Sequence, residues 1–300
     1  MSAVPRARPD GEHPRAFLYR VNGVELAVYE WAGDGPALLF AHATGFHARC
    51  WDQVIRLLPG RRAIAVDLRG HGRSEKPAPP YRWSLVGDDV VALVRSLDLR
   101  GAVGVGHSMG GHSLTYAAGR EPPRFGALLL VDPVIRERAA YAQGPRGVPG
   151  SSFVSRRRNE WSSAAEMVER FAGREPFRRW QPRVLRDYCE FGLRARPDGP
   201  GFMLACPPEI EADLYAHAEG TDVSEEIARI AFPVRILRAS PAPPGEFGRS
   251  FNASPTDPEL ASRFAHAEDV LLPKATHFIP MESPDLVATH VETLIGATAG

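Results

Sequence analysis

A serine with a glycine two positions away on each side is the feature of this chain that most constrains how it can fold. Ser108 is that serine, Gly106 and Gly110 are the glycines, and the segment reads Gly-His-Ser-Met-Gly. An apolar run at 102–105 precedes it, and residues 113–118 follow with apolar side chains at helical spacing. A chain that leaves a buried strand and enters a helix through one tight turn needs both glycines, because a Cβ at either place would collide with neighbouring backbone. The segment therefore predicts a strand, a sharp turn and a helix, in that order.

The predicted turn also indicates a chemical role for Ser108. It lifts the hydroxyl into a cleft and points the first amides of the following helix at the same place, where negative charge is favoured. So short a pattern also arises by chance in glycine-rich turns, and it is the strand before it and the helix after it that favour a functional interpretation. We therefore interpret Ser108 as the nucleophile of a hydrolytic reaction.

The charge balance of the chain argues against several classes of partner. The 300 residues carry 36 Lys plus Arg and 36 Asp plus Glu, so the formal net charge is zero. A neutral surface argues against nucleic acid or an anionic membrane as a partner and favours a small neutral or weakly charged substrate. No segment approaches the roughly 20 apolar residues that span a bilayer, and residues 1–15 lack the apolar core of a signal peptide. We expect a cytoplasmic protein whose residues 1–15 form a flexible N-terminal tail.

The spacing of metal-binding residue types gives no indication of a metal site. Cys50, Cys189 and Cys206 are odd in number and far apart, which fits neither a disulfide framework nor a zinc site. No group of Asp, Glu and His has the spacing of metal ligands. We expect no metal and no cofactor.

Apolar strand patterns alternate with helical patterns in two parts of the chain. Strands are predicted at 16–20, 24–31, 37–41, 62–67, 102–105, 126–131, 233–237 and 269–272, and helices at 51–58, 83–97 and 284–294. Leu57 belongs to the apolar face of the first of these helices. The alternation predicts an α/β core built from residues 16–133 and 232–300.

Residues 134–231 interrupt this alternation. They contain no pattern of a buried strand, but helical patterns occur at 162–173, 182–193 and 208–218. Structureless loops of such length are rare in compact domains. Since the carboxyl ends of parallel strands meet at one edge of a sheet, we predict a helical cap, inserted after the sixth strand, that roofs a cleft at this edge.

The cap segment is rich in aromatic and arginine side chains. Its aromatic residues include Trp161, Phe171, Phe177, Trp180, Tyr188, Phe191, Phe202 and Tyr215. Some of them are candidates for an apolar pocket, but packing of the cap on the sheet accounts for most. The arginine run at 156–158 is interpreted as a solvated charged segment in preference to a carboxylate-binding site.

A histidine near the end of the chain is the candidate base. A serine hydroxyl needs a base within hydrogen-bond reach, and that base must itself be oriented by a carboxylate. His277 follows the last predicted strand and precedes the last predicted helix. A single histidine is more often a surface loop residue, but this strand-loop-helix position favours catalysis.

Four motifs together resemble the α/β-hydrolase superfamily, in its capped esterase-like branch. They are the loop His-Ala-Thr-Gly at 42–45, the turn Asp-Leu-Arg-Gly-His-Gly-Arg-Ser at 67–74, the segment around Ser108 and the segment around His277. The resemblance extends from residue 17 to 294. It implies a mostly parallel eight-stranded sheet flanked by helices, with the cap after the sixth strand. It also implies that the turn at 67–74 has a structural role.

The resemblance implies an oxyanion hole as well. In such proteins the first loop usually begins His-Gly, and the next backbone NH acts together with the NH that follows the nucleophile. Carried over to this chain, the two donors are the amides of Thr44 and Met109. Ala43 replaces the usual glycine.

The carboxylate that orients His277 has two candidates. Asp132 ends the predicted sixth strand, where some members of the superfamily place this acid. Most members place it after the seventh strand, but here the loop 238–246 has no carboxylate before Glu246, which follows three prolines. Asp132 is favoured, and Glu246 is the alternative. The Asp-Pro pair that begins at Asp132 is also compatible with a simple turn into the cap.

These residues and the resemblance together predict a serine hydrolase that cleaves a carboxylic ester or lactone through an acyl-enzyme. Ser108 attacks, His277 transfers the proton, and Asp132 orients the imidazole. A carbon–carbon bond hydrolase, an acyltransferase and a weakly hydrolytic ligand receptor are alternatives on the same fold. The sequence leaves a homodimer open.

Overall fold

The computed structural model of the chain describes residues 13–142, 154–218, 221–241 and 252–298. The strands, in chain order, are β1 Arg15–Val21, β2 Val24–Trp31, β3 Asp34–Ala41, β4 Arg61–Val66, β5 Ala102–His107, β6 Phe125–Val131, β7 Glu160–Trp161, β8 Leu193–Ala195, β9 Phe202–Leu204, β10 Val234–Ala239 and β11 Ala267–Leu272. The helices are α1 Asp52–Ile55, α2 Trp83–Ser96, α3 Met109–Arg120, α4 Arg138–Tyr141, α5 Ala164–Ala172, α6 Pro182–Phe191, α7 Pro208–Ala216, α8 Ser224–Ala228, α9 Ile279–Glu282 and α10 Pro284–Thr298.

The central sheet has eight strands in the order β1-β2-β4-β3-β5-β6-β10-β11. β2 runs antiparallel to β1 and β4, and the other neighbouring pairs are parallel. The prediction of a mostly parallel eight-stranded sheet flanked by helices is confirmed. Since β3, β5, β6 and β10 are parallel neighbours, their carboxyl ends meet at one edge of the sheet. The chain leaves β5 at Ser108 and β6 at Asp132, so both residues lie at this edge.

Alternate side chains of the central strands enter two separate cores, one on each face of the sheet. In β3, Leu39 and Ala41 lie in the core that contains side chains of α2 and α3. Leu38 and Phe40 lie in the core that contains side chains of α1 and α10. Because helices cover both faces, the central strands carry apolar side chains on both sides, as their sequence pattern indicates.

The first predicted helix is shorter than its apolar pattern indicates. A 3-10 turn covers Ala48–Trp51, and α1 ends at Ile55. The amide of Leu57 donates to the carbonyl of Val54, which tightens the chain after the helix. Leu57 is 49% exposed, so its predicted place on the buried face is wrong.

The segment between β6 and β10 contains helices and a second, smaller sheet in which β9 lies between β7 and β8. These strands are not predicted from the sequence, because strands of two or three residues are too short to show an alternating pattern. Trp180 and Tyr188 of this segment share a core with Ala43 and Phe46, which follow β3. The segment that the sequence predicts as a cap therefore packs over the carboxyl edge of the sheet. Ile227 of α8 packs instead in the core that contains α3.

Candidate active site

Ser108 lies in the turn between β5 and α3 with a φ of 56° and a ψ of −118°. A positive φ is rare for a residue with a side chain, and such strain concentrates at functional positions. A Cβ on Gly106 would lie 2.7 Å from the carbonyl carbon of Gly110. A Cβ on Gly110 would lie 2.1 Å from the carbonyl oxygen of Ala41. Both distances are far below van der Waals contact, so the turn requires glycine at these two positions.

The structure brings Ser108, Asp132 and His277 together. Nε2 of His277 is 3.0 Å from Oγ of Ser108, and Nδ1 of His277 is 2.6 Å from Oδ2 of Asp132. Ser108 and His277 are each 6% exposed, and Asp132 is fully buried. The three side chains thus form one hydrogen-bonded series, Ser108–His277–Asp132.

The hydrogen bonds of His277 define which ring nitrogen carries the proton. An ionised carboxylate can only accept, so Nδ1–H donates to Asp132. In the neutral ring Nε2 is then bare and accepts the hydroxyl hydrogen of Ser108. The unprotonated nitrogen of the imidazole therefore faces the serine hydroxyl.

The second oxygen of the Asp132 carboxylate is also fully engaged. Oδ1 accepts hydrogen bonds from the backbone amide of Ala239 at 3.0 Å and from Oγ of Ser254 at 2.6 Å. Asp132 has a φ of 46°, and its own amide donates to the carbonyl of Leu237. Both neighbouring segments, β10 and the chain near Ser254, thus hold the carboxylate toward His277. Glu246, the alternative acid, lies outside the described residues.

Ser254 is a functional candidate that the sequence does not indicate. It is 3% exposed and hydrogen-bonds to a residue 122 positions earlier in the chain. No motif surrounds Ser254, and it lies outside every predicted strand and helix. The sequence therefore does not distinguish it from other serines of the chain. Only the tertiary structure places its hydroxyl on the carboxylate.

The two residues whose amides are the predicted oxyanion donors contact each other through their side chains. Met109 is the first residue of α3, so its amide has no partner within the helix. Oγ1 of Thr44 is 3.4 Å from Sδ of Met109, which joins the loop after β3 to the start of this helix. Within the ranges that the structure describes, neither the Thr44 nor the Met109 amide donates a hydrogen bond to the protein.

Two neutral histidines support the loop that carries Thr44. Nε2 of His71 accepts from the amide of Gly45 at 3.0 Å, and Nε2 of His42 accepts from the amide of Leu68 at 2.9 Å. Burial lowers the pKa of His42 to about 4 and lowers that of His71 well below its usual value. Because a protonated ring could not accept these bonds, the fold relies on the neutral form of both histidines.

Aromatic rings from the loop after β3 and from the segment between β6 and β10 meet the ring of Phe278, which lies beside His277. The ring of Phe46 lies 5.7 Å from that of Trp180, 5.2 Å from that of Tyr188 and 6.0 Å from that of Phe278. Trp180 and Tyr188 are buried, as expected for packing of the cap on the sheet. Phe202, another predicted candidate for an apolar pocket, is 37% exposed.

Arg157 is not the solvated charge that the sequence suggests. Its guanidinium forms an ion pair with Glu211 and donates to the hydroxyl of Tyr188 at 3.0 Å. Glu211 is buried above Gly45, whose positive φ of 80° and lack of a Cβ leave room for the carboxylate. The interpretation of the run 156–158 as wholly solvated is therefore wrong at its middle residue, which links α6 and α7.

The described part of the chain contains neither a metal-binding cluster nor a membrane-spanning helix. No group of three or more His, Cys, Asp or Glu side chains there is arranged to hold a metal ion. None of the helices described is both long enough and apolar enough to cross a membrane.

Comparisons with known proteins agree with this architecture. The sequence profile of the alpha/beta hydrolase family matches residues 38–290. Lipase LipV of Mycobacterium tuberculosis is 37% identical over 288 residues, which cover 91% of this chain and 98% of the lipase. A non-heme chloroperoxidase of Streptomyces lividans is 37% identical over 136 residues, and this match spans 44% of the chain but only about half (49%) of the relative. The crystal structure of E-2-(acetamidomethylene)succinate hydrolase has a TM-score of 0.75 at 23% identity, covers 95% of this chain and 100% of that one, and shows a shared fold.

Proposed function

Since this chain belongs to the alpha/beta hydrolase family, we propose that it is a serine hydrolase that cleaves a carboxylic ester or lactone through an acyl-enzyme. The observation that carries the proposal is the hydrogen-bonded series Ser108–His277–Asp132, with distances of 3.0 Å and 2.6 Å. A hydroxyl at this distance from an oriented, bare imidazole nitrogen can lose its proton as it attacks a carbonyl carbon.

Acylation uses all three side chains. Oγ of Ser108 bonds to the carbonyl carbon while its proton passes to Nε2 of His277, and the Asp132 carboxylate stabilises the imidazolium that forms. The amides of Thr44 and Met109 hold the negative oxygen, and losing one such donor typically costs about 2.7 to 4 kcal/mol in the transition state. The imidazolium then gives its proton to the departing alcohol oxygen, which in a lactone stays attached through the opened ring.

Deacylation repeats these steps with water as the nucleophile. His277 takes a proton from water, the resulting hydroxide attacks the ester on Ser108, and the imidazolium returns its proton to Oγ. The carboxylic acid leaves, and the enzyme regains its starting protonation state. The reaction needs only groups of the chain itself, the substrate and water.

The surroundings of the site support a small, neutral or weakly charged substrate with an apolar part. The ring of Phe278 lies beside His277, the rings of Phe46 and Trp180 pack on Phe278, and this cluster favours apolar groups. Arg157, the cationic side chain beside Tyr188, is already paired with Glu211. The name of the relative LipV, a lipase, is compatible with an ester substrate.

Labelling with a fluorophosphonate, followed by peptide mapping, tests the proposal. The expected result is one phosphonyl group per chain, attached to Ser108, and turnover of a short p-nitrophenyl ester that the label abolishes. Ser108→Ala should remove both reactions. Ser113→Ala is the matched control, because this buried serine of α3 only donates to the carbonyl of Met109 and should retain both.

Two results would refute the proposal. One is a label on another residue together with an active Ser108→Ala variant. The other is efficient turnover of a dienone-type diketone without ester hydrolysis, which would identify a carbon–carbon bond hydrolase. Release of a single equivalent of product per chain would instead indicate a ligand receptor.

A further inference from the structure

His107, the residue directly before Ser108, contacts the backbone of the candidate base. Nε2 of its ring is 2.8 Å from the carbonyl oxygen of His277, and the two rings lie 4.9 Å apart between centroids. The His107 side chain is fully buried in β5 at the carboxyl edge of the sheet. It therefore joins the strand that ends at the nucleophile to the loop that carries the base.

The direction of this hydrogen bond fixes the protonation of His107. A carbonyl oxygen only accepts, so Nε2 must carry the hydrogen. Burial, together with the neighbouring His277, keeps the pKa of His107 well below its usual value, so the second nitrogen is unprotonated at neutral pH. Nδ1 has no hydrogen-bond partner in the part of the chain that the structure describes. His107 is therefore a neutral ring in a single tautomer, with Nε2–H directed at His277.

We propose that His107 is a positioning residue that holds the backbone of His277, so that its Nε2 stays 3.0 Å from Ser108 Oγ. The inference rests on the proposed function, since it assigns His107 a role in aligning that nucleophile and base. His107 is the neighbour of Ser108 in the chain. A hydrogen bond from its side chain to the backbone of His277 therefore fixes the position of His277 relative to the turn that carries the nucleophile.

The bond from His107 reaches the loop around His277 from the side of β5. On the other side of the loop, Oγ1 of Thr276 donates a hydrogen bond to the carboxylate of Glu282 and accepts one from the amide of Phe278 at 3.3 Å. Those contacts lie within the loop and the short helix α9, so they do not fix the position of the loop relative to Ser108. The hydrogen bond from His107 joins residues 170 positions apart and connects the loop to the strand that ends at Ser108.

The neutrality of His107 also suits the reaction. During acylation His277 becomes a cation, and a second cation at a ring separation of 4.9 Å would oppose its formation. A neutral donor to the carbonyl of His277 holds the loop without this repulsion.

Two variants separate the hydrogen bond from the bulk of the ring. His107→Phe retains an aromatic ring but removes the donor, and His107→Gln returns an N–H donor on a side chain of similar reach. We expect His107→Phe to lower both kcat and the rate of fluorophosphonate labelling by about 10- to 100-fold, because a small misplacement of a catalytic group has effects of this order. KM should change little, and His107→Gln should recover most of the lost rate.

His112 provides a matched control. It is also fully buried, its pKa is lowered to about 4 by burial, and its Nε2 lies 2.9 Å from a backbone carbonyl, that of Thr221. That carbonyl does not belong to the candidate base. His112→Phe therefore loses the same kind of bond, and we expect a folded variant to label at the wild-type rate.

The outcomes distinguish this inference from the proposed function. If wild type is labelled at Ser108 and folded His107→Phe is labelled equally fast, His107 has no positioning role. The same conclusion follows if His107→Phe does not fold and His107→Asn, whose amide is too short to reach the carbonyl, labels as fast as His107→Gln. If wild type is not labelled at Ser108, the proposed function itself is wrong.

Discussion

Oγ of Ser254 lies 2.6 Å from Oδ1 of Asp132, the carboxylate oxygen that His277 does not use. The amide of Ala239 donates to the same oxygen at 3.0 Å. Each oxygen of the buried carboxylate thus has a partner, and the two donors on Oδ1 determine how Oδ2 faces the imidazole. Hydrogen bonds to a charged acceptor are stronger than those between neutral groups, so this contact contributes to the alignment of the whole series.

Removing the Ser254 hydroxyl tests this contact. Ser254→Ala leaves the Ala239 amide as the remaining described donor to Oδ1, and a bond to a charged group is worth about 1.5 to 3 kcal/mol. We expect kcat for ester hydrolysis to fall by about 10-fold, with KM nearly unchanged. Ser262→Ala is a suitable control, since that hydroxyl only donates to the carbonyl of Glu259 near the surface. Equal kcat values for both variants and wild type would show that the Ser254 hydroxyl does not help to orient the Asp132 carboxylate.

Asp132→Asn tests the identity of the acid. An amide at this position holds the imidazole in the wrong tautomer, and the corresponding change in trypsin lowers kcat by about 10⁴-fold. We expect a loss of that order, measured at saturating p-nitrophenyl ester, while Glu246→Gln retains activity. A large loss in Glu246→Gln with an active Asp132→Asn would make Glu246 the acid.

The elbow glycines give a steric prediction. A Cβ on Gly110 would lie 2.1 Å from the carbonyl oxygen of Ala41, so Gly110→Ala must displace the turn of Ser108 or the end of β3. We expect labelling of Ser108 to slow by at least about 100-fold, because either displacement changes the position of the nucleophile relative to the loop that carries Thr44. Gly173→Ala at the end of α5 meets no atom within 4 Å and should label normally. A Gly110→Ala variant of wild-type reactivity would contradict the described geometry of the turn.

Buried neutral histidines make the fold sensitive to acid. Burial lowers the pKa of His42 from 6.5 to about 4, so between these values the unfolded chain binds a proton that the folded chain does not. The stabilisation from this group is complete above about pH 6.5 and is lost as the pH falls toward 4, with a total on the order of 3 kcal/mol. We expect the free energy of unfolding, measured with urea, to decrease steadily from pH 7 to pH 5.

A pair of variants tests whether His42 causes this pH dependence of the free energy of unfolding. His42→Gln removes the titrating ring, so its unfolding free energy should vary less steeply over the same pH range. His266→Gln changes an exposed histidine and should leave the wild-type slope intact. If the free energy of unfolding of wild type stays constant from pH 7 to pH 5, protonation of the buried histidines does not destabilise the fold, and the prediction is wrong.

The sequence predicts those features that depend on local pattern. The β5–Ser108–α3 turn follows from two glycines and the apolar residues around them, and the structure shows the carbonyl of Ala41 that excludes a larger residue at Gly110. The central strands are predicted because continuous apolar runs are typical of strands that are covered on both faces. Asp132 and His277 are predicted by their places at strand ends, where parallel strands bring them to one edge.

Features that depend on contacts across the fold are not predicted. Ser254 and His107 form hydrogen bonds with partners 122 and 170 positions away, and neither has a local pattern. Leu57 has the spacing of a buried residue but lies beyond the end of α1, where the chain tightens into a turn. Arg157 is part of a charged run, yet the buried carboxylate of Glu211 holds its guanidinium within the cap.

The most direct test of the account is to trap the covalent intermediate. Wild-type protein is mixed with a short p-nitrophenyl ester, quenched in acid within the first turnover, digested and analysed by mass spectrometry. We predict that the peptide containing Ser108 carries the acyl group and that the peptide from Ser108→Ala does not. Hydrolysis of the ester with no acylated peptide, or with the acyl group on another residue, would contradict the central claim that the Ser108 hydroxyl is the nucleophile.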